Sequence, residues 1–175
     1  MDKRELLQRY ARGERDFSGV DLSGAALRNV SLDGINLHGA ILRECDLTGA
    51  RLRQADLRGA DLTWSVLSGV DLSSATLQDA TLIGAGLEGA ILSGADLSRA
   101  NLIGANLRVA ILRGAILNKA EMRGCNLIEA DMELADLSDA NLNRANLSRA
   151  AVRPAQLARA RSLEGTTMPD GSRRM

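Results

Sequence analysis

From Phe17 to Leu157 a large apolar residue recurs at every fifth position, 29 times without an insertion or deletion. All are Leu except Phe17, Met122, Met132 and Val152. The stretch "ADLSRANLIGANLRVAILRGAIL" at residues 95–117 shows the pattern unbroken. A half-buried strand would alternate about every two residues, and an amphipathic helix would repeat about every 3.6. On a helix, steps of five turn about 140° each, so these leucines would scatter around every side. On one continuous strand, an odd step would throw successive leucines onto opposite faces. The five-residue unit is therefore itself the architectural part.

Each position of the unit has its own chemistry. Two residues before the Leu column lies a second apolar column, in which 21 of 28 residues from Val20 to Ala155 are Ala. Residues two apart in a short extended segment point the same way, so Ala and Leu face inward together. The residue between them points outward, which suits the Asp or Asn found in 15 of the 29 units. The remaining two residues must turn the chain. Gly occupies the second of them in 13 units, and it suits the positive-φ position of a type II turn. Where Asp79, Arg99 or Lys119 replaces that Gly, a different turn type is expected. Each unit is then one side and one corner of a polygon, and stacked polygons make a β-solenoid whose units are stable only through their neighbours.

The segments "ADLSRANLIGANL" and "ADLSDANLNRANL" (residues 135–147) resemble the A(D/N)LXX motif of the pentapeptide-repeat protein family. The resemblance covers residues 15–159. It implies an all-β solenoid, a right-handed quadrilateral β-helix with four pentapeptides per coil. At that count the repeats make about seven coils, and a rod of roughly 34 Å at the inter-strand spacing. "LLQRYARGERDFSGVDL" near the start and "MPDG" near the end are similar to stand-alone members common in cyanobacteria.

The ends depart from the repeat. "DKRELLQRYARG" opens on Asp2, carries Glu5 three residues later and closes on Gly13, which predicts a helix with signals at both ends. Leu6 and Tyr10, four apart, can lie on the open end of the core. Pro154 interrupts the repeat, and "LEGTTMPDGSRRM" reads as an irregular tail with a Pro-Asp-Gly turn. The expected organisation is a capping helix at 1–13, the pentapeptide β-helix at 14–159 and a tail or cap at 160–175.

Composition narrows the chemistry. Aromatics are 2% of the chain against 45% hydrophobic residues, so the core is built from small and aliphatic side chains. Lys plus Arg and Asp plus Glu are 22 each, which leaves no global field for nucleic acid or an anionic membrane. Direct nucleic-acid binding and membrane association are not expected. The charged start, two cysteines and lack of a long apolar run predict a cytoplasmic setting. The one histidine, His38, sits in an outward slot, and no His, Cys and carboxylate set has ligand or triad spacing. The carboxylate column reads as outward residues that bond local backbone. No catalytic residue, no cofactor and no metal site is expected.

Exceptions in the outward slots are the candidates for contact. At twenty residues per coil, Ile83 stacks with Ile103 after the Leu column, and Ile91 with Ile111 in the Asp/Asn slot. Trp64, Val109 and Leu134 occupy the Gly slot. Trp64, Ile83, Ile103 and Leu134 are the candidate partner contacts; the alternative is that aliphatic ladders simply favour extended stacking. Charge is also uneven. Residues 121–140 hold six acids against Arg123, while residues 141–161 hold five arginines and no acid. These collars either neutralise one another or form a charged docking end.

The expected function is a non-catalytic scaffold for protein–protein interaction, with an unidentified protein partner and an open end available to a homodimer. The family resemblance also implies an alternative, since some members mimic duplex DNA, bind DNA gyrase and protect it from inhibitors. That role goes with a strongly acidic surface, from which the zero net charge departs.

Overall fold

The computed structural model describes residues 1–175. Parallel β-bridges join residues twenty apart in four series, beginning with Asp16–Asn36, Asp21–Ile41, Ala26–Asp46 and Ser31–Arg51. We call these ladders one to four. Each passes through the outward slot between the Ala and Leu columns. Four pentapeptides therefore separate one rung from the next on the same ladder.

The bonding of one unit accounts for its donors, as a buried backbone requires. The Leu102 N–H donates to the Glu121 carbonyl at 2.8 Å, and the Asn101 N–H to the Ala80 carbonyl at 2.9 Å on the opposite side. The Ala105 N–H closes the turn on the Leu102 carbonyl at 2.9 Å. The corner N–H of Gly104 reaches the Arg123 carbonyl at 2.9 Å. The N–H after the Leu is taken by the outward Asp or Asn, as in Ser73 to Asp71 Oδ1 at 3.0 Å. This is an Asx turn, and it gives the Asp/Asn column a structural reason. Both inward columns are buried from Val30 to Ala150, including Leu102 and Ala100.

The corners correct one expectation. Asp79, Arg99 and Lys119 do not take a different turn; their φ values are 59°, 60° and 58°, close to the 63° of Gly84. The same left-handed backbone recurs at Asn29, Trp64, Val109 and Leu134. The physical reason is the ladder: the Arg99 N–H donates to the Asn118 carbonyl at 2.9 Å, as the Gly94 N–H does to the Arg113 carbonyl. Keeping these bonds outweighs a left-handed cost of about 1–2 kcal/mol per residue.

Helix α1, Lys3–Ala11, starts at Asp2, whose side chain accepts from the Glu5 N–H at 2.8 Å. Leu6 is fully buried in the core, and the Tyr10 hydroxyl donates to the Asp33 carbonyl at 2.8 Å. The far end differs from an irregular tail beginning at 160. Residues Pro154–Leu157 form the short helix α2, with Pro at its start, where no helical N–H is needed. The Gln156 amide donates to the carbonyls of Met132 and Ala135 at 2.9 and 2.8 Å, fastening α2 to the preceding coil. The ladders then resume one residue out of step, pairing Asn141 with Ser162 and Asn146 with Thr167. A final antiparallel bridge, Thr167–Arg173, folds the last residues back around Pro169 and Gly171.

Candidate interaction surface

Three of the four predicted contact residues come together. The corner after ladder two is linked by successive backbone bonds: Trp64 N–H to Ile83, Gly84 to Ile103, Gly104 to Arg123, Gly124 to Asn143 and Arg144 to Glu164, at 2.8–3.0 Å. Trp64, Ile83 and Ile103 thus occupy consecutive rungs of one strip. The Trp64 side chain lies across Gly84, where an added Cβ would stand 2.1 Å from the indole. Only a glycine on the next rung leaves room for the ring. Trp64 remains 63% exposed, while Ile83 and Ile103 are half-buried.

Leu134 is not part of this strip. It is 70% exposed on the corner after ladder four, beside a recess shared with Arg153, Gln156 and Arg159. Val66 was absent from the sequence candidates, yet it is exposed two residues from Trp64 across the corner. Its signal was an apolar residue in an Asp/Asn slot. Between them Ser65 is buried in the Ala column, its hydroxyl donating to the Leu62 carbonyl at 2.7 Å.

The charged collars neutralise each other in part. Arg149 pairs with Glu129 at 3.3 Å, Arg159 with Asp136 at 3.6 Å, and Arg161 with Glu121. Arg113, one coil earlier, takes both Asp131 at 3.1 Å and Glu133 at 2.8 Å. Of the six collar acids only Asp139 has no ion pair, while Arg123, Arg144 and Arg153 also have none.

The titratable groups of the rod are set by their local partners and by burial. Burial pushes the Asp71 carboxyl up, but the Ser73 hydroxyl and the Arg53 guanidinium outweigh it and hold the group below the usual range. Asp61 and Asp96 follow the same logic through Thr63 and Ser98. Burial drives the Cys125 thiol up to about 12, and raises Cys45 as well. Low-pKa carboxylates and high-pKa thiols are the opposite of what general acids and nucleophiles need. No three His, Cys, Asp or Glu side chains stand where they could hold a metal ion. No helix is long and apolar enough to cross a membrane.

Comparison with known proteins places the architecture. The profile of the family described as pentapeptide repeats matches residues 16–54, 55–94, 90–127 and 115–151. Rfr23, a pentapeptide repeat protein of the cyanobacterium Cyanothece, is 26% identical, with 80% of this chain and 95% of that one covered at a TM-score of 0.52. QnrB1, a plasmid-mediated fluoroquinolone resistance protein, shares the fold at 20% identity and a TM-score of 0.54, over 89% of this chain and 80% of its own. HetL of the cyanobacterium Nostoc, a pentapeptide repeat protein involved in heterocyst differentiation regulation, is 31% identical over 99% of this chain and 100% of its own, at a TM-score of 0.42. No curated protein matches the chain. The profile spans most of the sequence on the columns that build the core, and the chain belongs to the pentapeptide repeat family.

Proposed function

We propose that this chain is a scaffold that binds another protein through the outer face of a right-handed, four-sided rod of about seven coils. The observation that carries this reading is the strip of Trp64, Ile83 and Ile103 on consecutive rungs. An exposed Trp on a backbone bonded at every rung loses little freedom when it binds, which favours it as an anchor. Mimicry of DNA asks for a continuous unneutralised acidic face, and the arginine pairs across the acidic collar weigh against it. The recess of about 640 Å³ lined by Val152, Leu163 and Met168 together with Asp170, Arg173 and Arg174 offers a place for a second copy at the far end. Sedimentation of the full chain tests that contact; a monomer at every concentration removes it.

The test of the scaffold reading is affinity capture from the native cell with the wild-type chain and with Trp64→Ala combined with Ile103→Ser. A specific protein held by the wild type and released by the double variant, at unchanged melting temperature, is the expected result. Identical capture by both forms refutes the strip. Protection of gyrase supercoiling from an inhibitor by the wild type would instead select the DNA-mimic alternative.

A further inference from the structure

We propose that the partner segment held by this strip carries an acidic side chain, received by Arg123 and Arg144, about three residues from the apolar side chain that rests on Trp64, Ile83 and Ile103. The inference rests on the scaffold reading and assigns its partner a chemistry. The same ladder of backbone bonds that links Trp64, Ile83 and Ile103 continues through Arg123, Asn143 and Arg144. Ile103 is the hinge between the two halves. It lines a recess of about 350 Å³ together with Arg123, Gly124, Asn143, Arg144 and Glu164. The corner here is stripped of side chains: a Cβ added at Gly104 or Gly124 would meet nothing within 4 Å. A bare surface over Gly104 and Gly124 thus joins the strip to the recess lined by Arg123 and Arg144, the Arg144 side chain lying over Gly165 on the following rung.

The electrostatics point the same way. Of the two acids near these arginines, Glu121 has other side-chain partners and Glu164 has none. Glu121, whose carboxyl feels the Arg123 charge, is bonded to Arg161 and to the Asn141 amide. Glu164 is the one acid of the recess, and it forms no ion pair with either arginine; its N–H is bonded to Asn143 Oδ1 at 3.1 Å. Two arginines thus face one acid, while the other collar charges are paired except Asp139 and Arg153. Guanidinium groups with free forks are suited to a carboxylate, which they can grip through paired N–H donors. Ile83 lies two rungs from Arg123, about 10 Å at the rung spacing, a length that about three residues of extended chain span. A nucleic acid fits less well, because phosphate binding needs a run of cations and half of this strip is apolar.

The probe is a phage-displayed library of random dodecapeptides, selected on the full-length chain, with binding of the selected synthetic peptides followed through the fluorescence of Trp64, the sole tryptophan. Selected peptides should carry Asp or Glu three or four positions from Leu, Ile or Phe. Arg123→Glu with Arg144→Glu should weaken their binding at least tenfold, and binding to the wild type should fall as salt rises. Arg123→Gln serves as a milder variant, and melting curves identify any form that fails to fold. Selection of peptides without an acid overturns the proposal, as does equal affinity for the Arg123→Glu/Arg144→Glu form. Binding of a poly-dT oligonucleotide in place of the peptides does so as well. If Trp64→Ala abolishes binding while the arginine variants do not, the acidic chemistry is wrong and the strip stands. If neither change matters, the strip itself fails.

Discussion

At the scale of single residues, direction inward or outward decides cost. Leu102 is buried and Ile103, its neighbour, is half-buried. Leu102→Ala should destabilise by about 2–5 kcal/mol, as truncation of a buried Leu does. Ile103→Ser should cost much less. Ala100→Phe should be worse than either, because two packed inward columns leave no room for a ring. Thermal melting of the three variants checks the order, and equal shifts for Leu102→Ala and Ile103→Ser contradict the slot assignment. The corners carry their own strain. Val109 is a β-branched residue at φ 52°, a backbone region that such side chains rarely enter. Val109→Gly should therefore raise stability by about 1 kcal/mol, whereas Gly124→Val should lower it by a similar amount. Acid acts through the outward column. Asp61, Asp71, Asp96 and Asp136 are each held below their ordinary pKa in the folded chain. Their contribution is present above the unfolded value of about 4 and is lost as the pH falls through the lower folded values. The melting temperature should stay level from neutral pH down to about pH 5 and drop below about pH 4; a chain equally stable at pH 2.5 would show that these Asx turns contribute little.

At the scale of elements, the two ends solve different problems. A stack of coils leaves unpaired backbone and open core at each end. Helix α1 sets Leu6 into the first of these and ties Tyr10 to the Asp33 carbonyl. Removing residues 1–13 should expose Phe17 and neighbouring backbone, lowering stability or promoting association, which calorimetry and sedimentation would reveal together. A monomer with unchanged melting would show that α1 has no capping role. The sequence made this helix legible, since Asp2, Glu5 and Gly13 are local signals. Helix α2 was not legible, although Pro154 marked the break. Its place depends on the Gln156 amide finding the Met132 and Ala135 carbonyls, more than twenty residues away. The one-residue slip that follows keeps Ser162 and Thr167 on the ladders, which a count in fives could not anticipate.

At the scale of the whole molecule, the twenty-residue register governs what meets what. Cys45 and Cys125 lie 80 residues apart, four rungs of one ladder, and both thiols donate to carbonyls at equivalent positions, Leu22 at 2.7 Å and Leu102 at 2.9 Å. They should stand about 19 Å apart at the rung spacing, too far for a disulfide, which needs Cα atoms within about 7 Å. Both should react slowly with thiol reagents until the chain unfolds, and an intramolecular bridge in the native protein would contradict the register. What the sequence determined by itself is the part encoded within five residues: which side chains face in, which face out, where the chain turns and where helix α1 starts. Those choices depend on local geometry and on the burial of Ala and Leu, so a periodic count reads them. Given the stacking, Trp64, Ile83 and Ile103 could also be read as neighbours. Tertiary structure alone decided the rest. Non-glycine corners are left-handed because bonds to the next coil require it. The collars cancel in part because Arg149, Arg159 and Arg161 find acids one or two coils away, and Arg123, Arg144 and Arg153 are left over only once those pairs have formed. Partner choice among charges depends on distances across coils, and no local pattern in the chain records them.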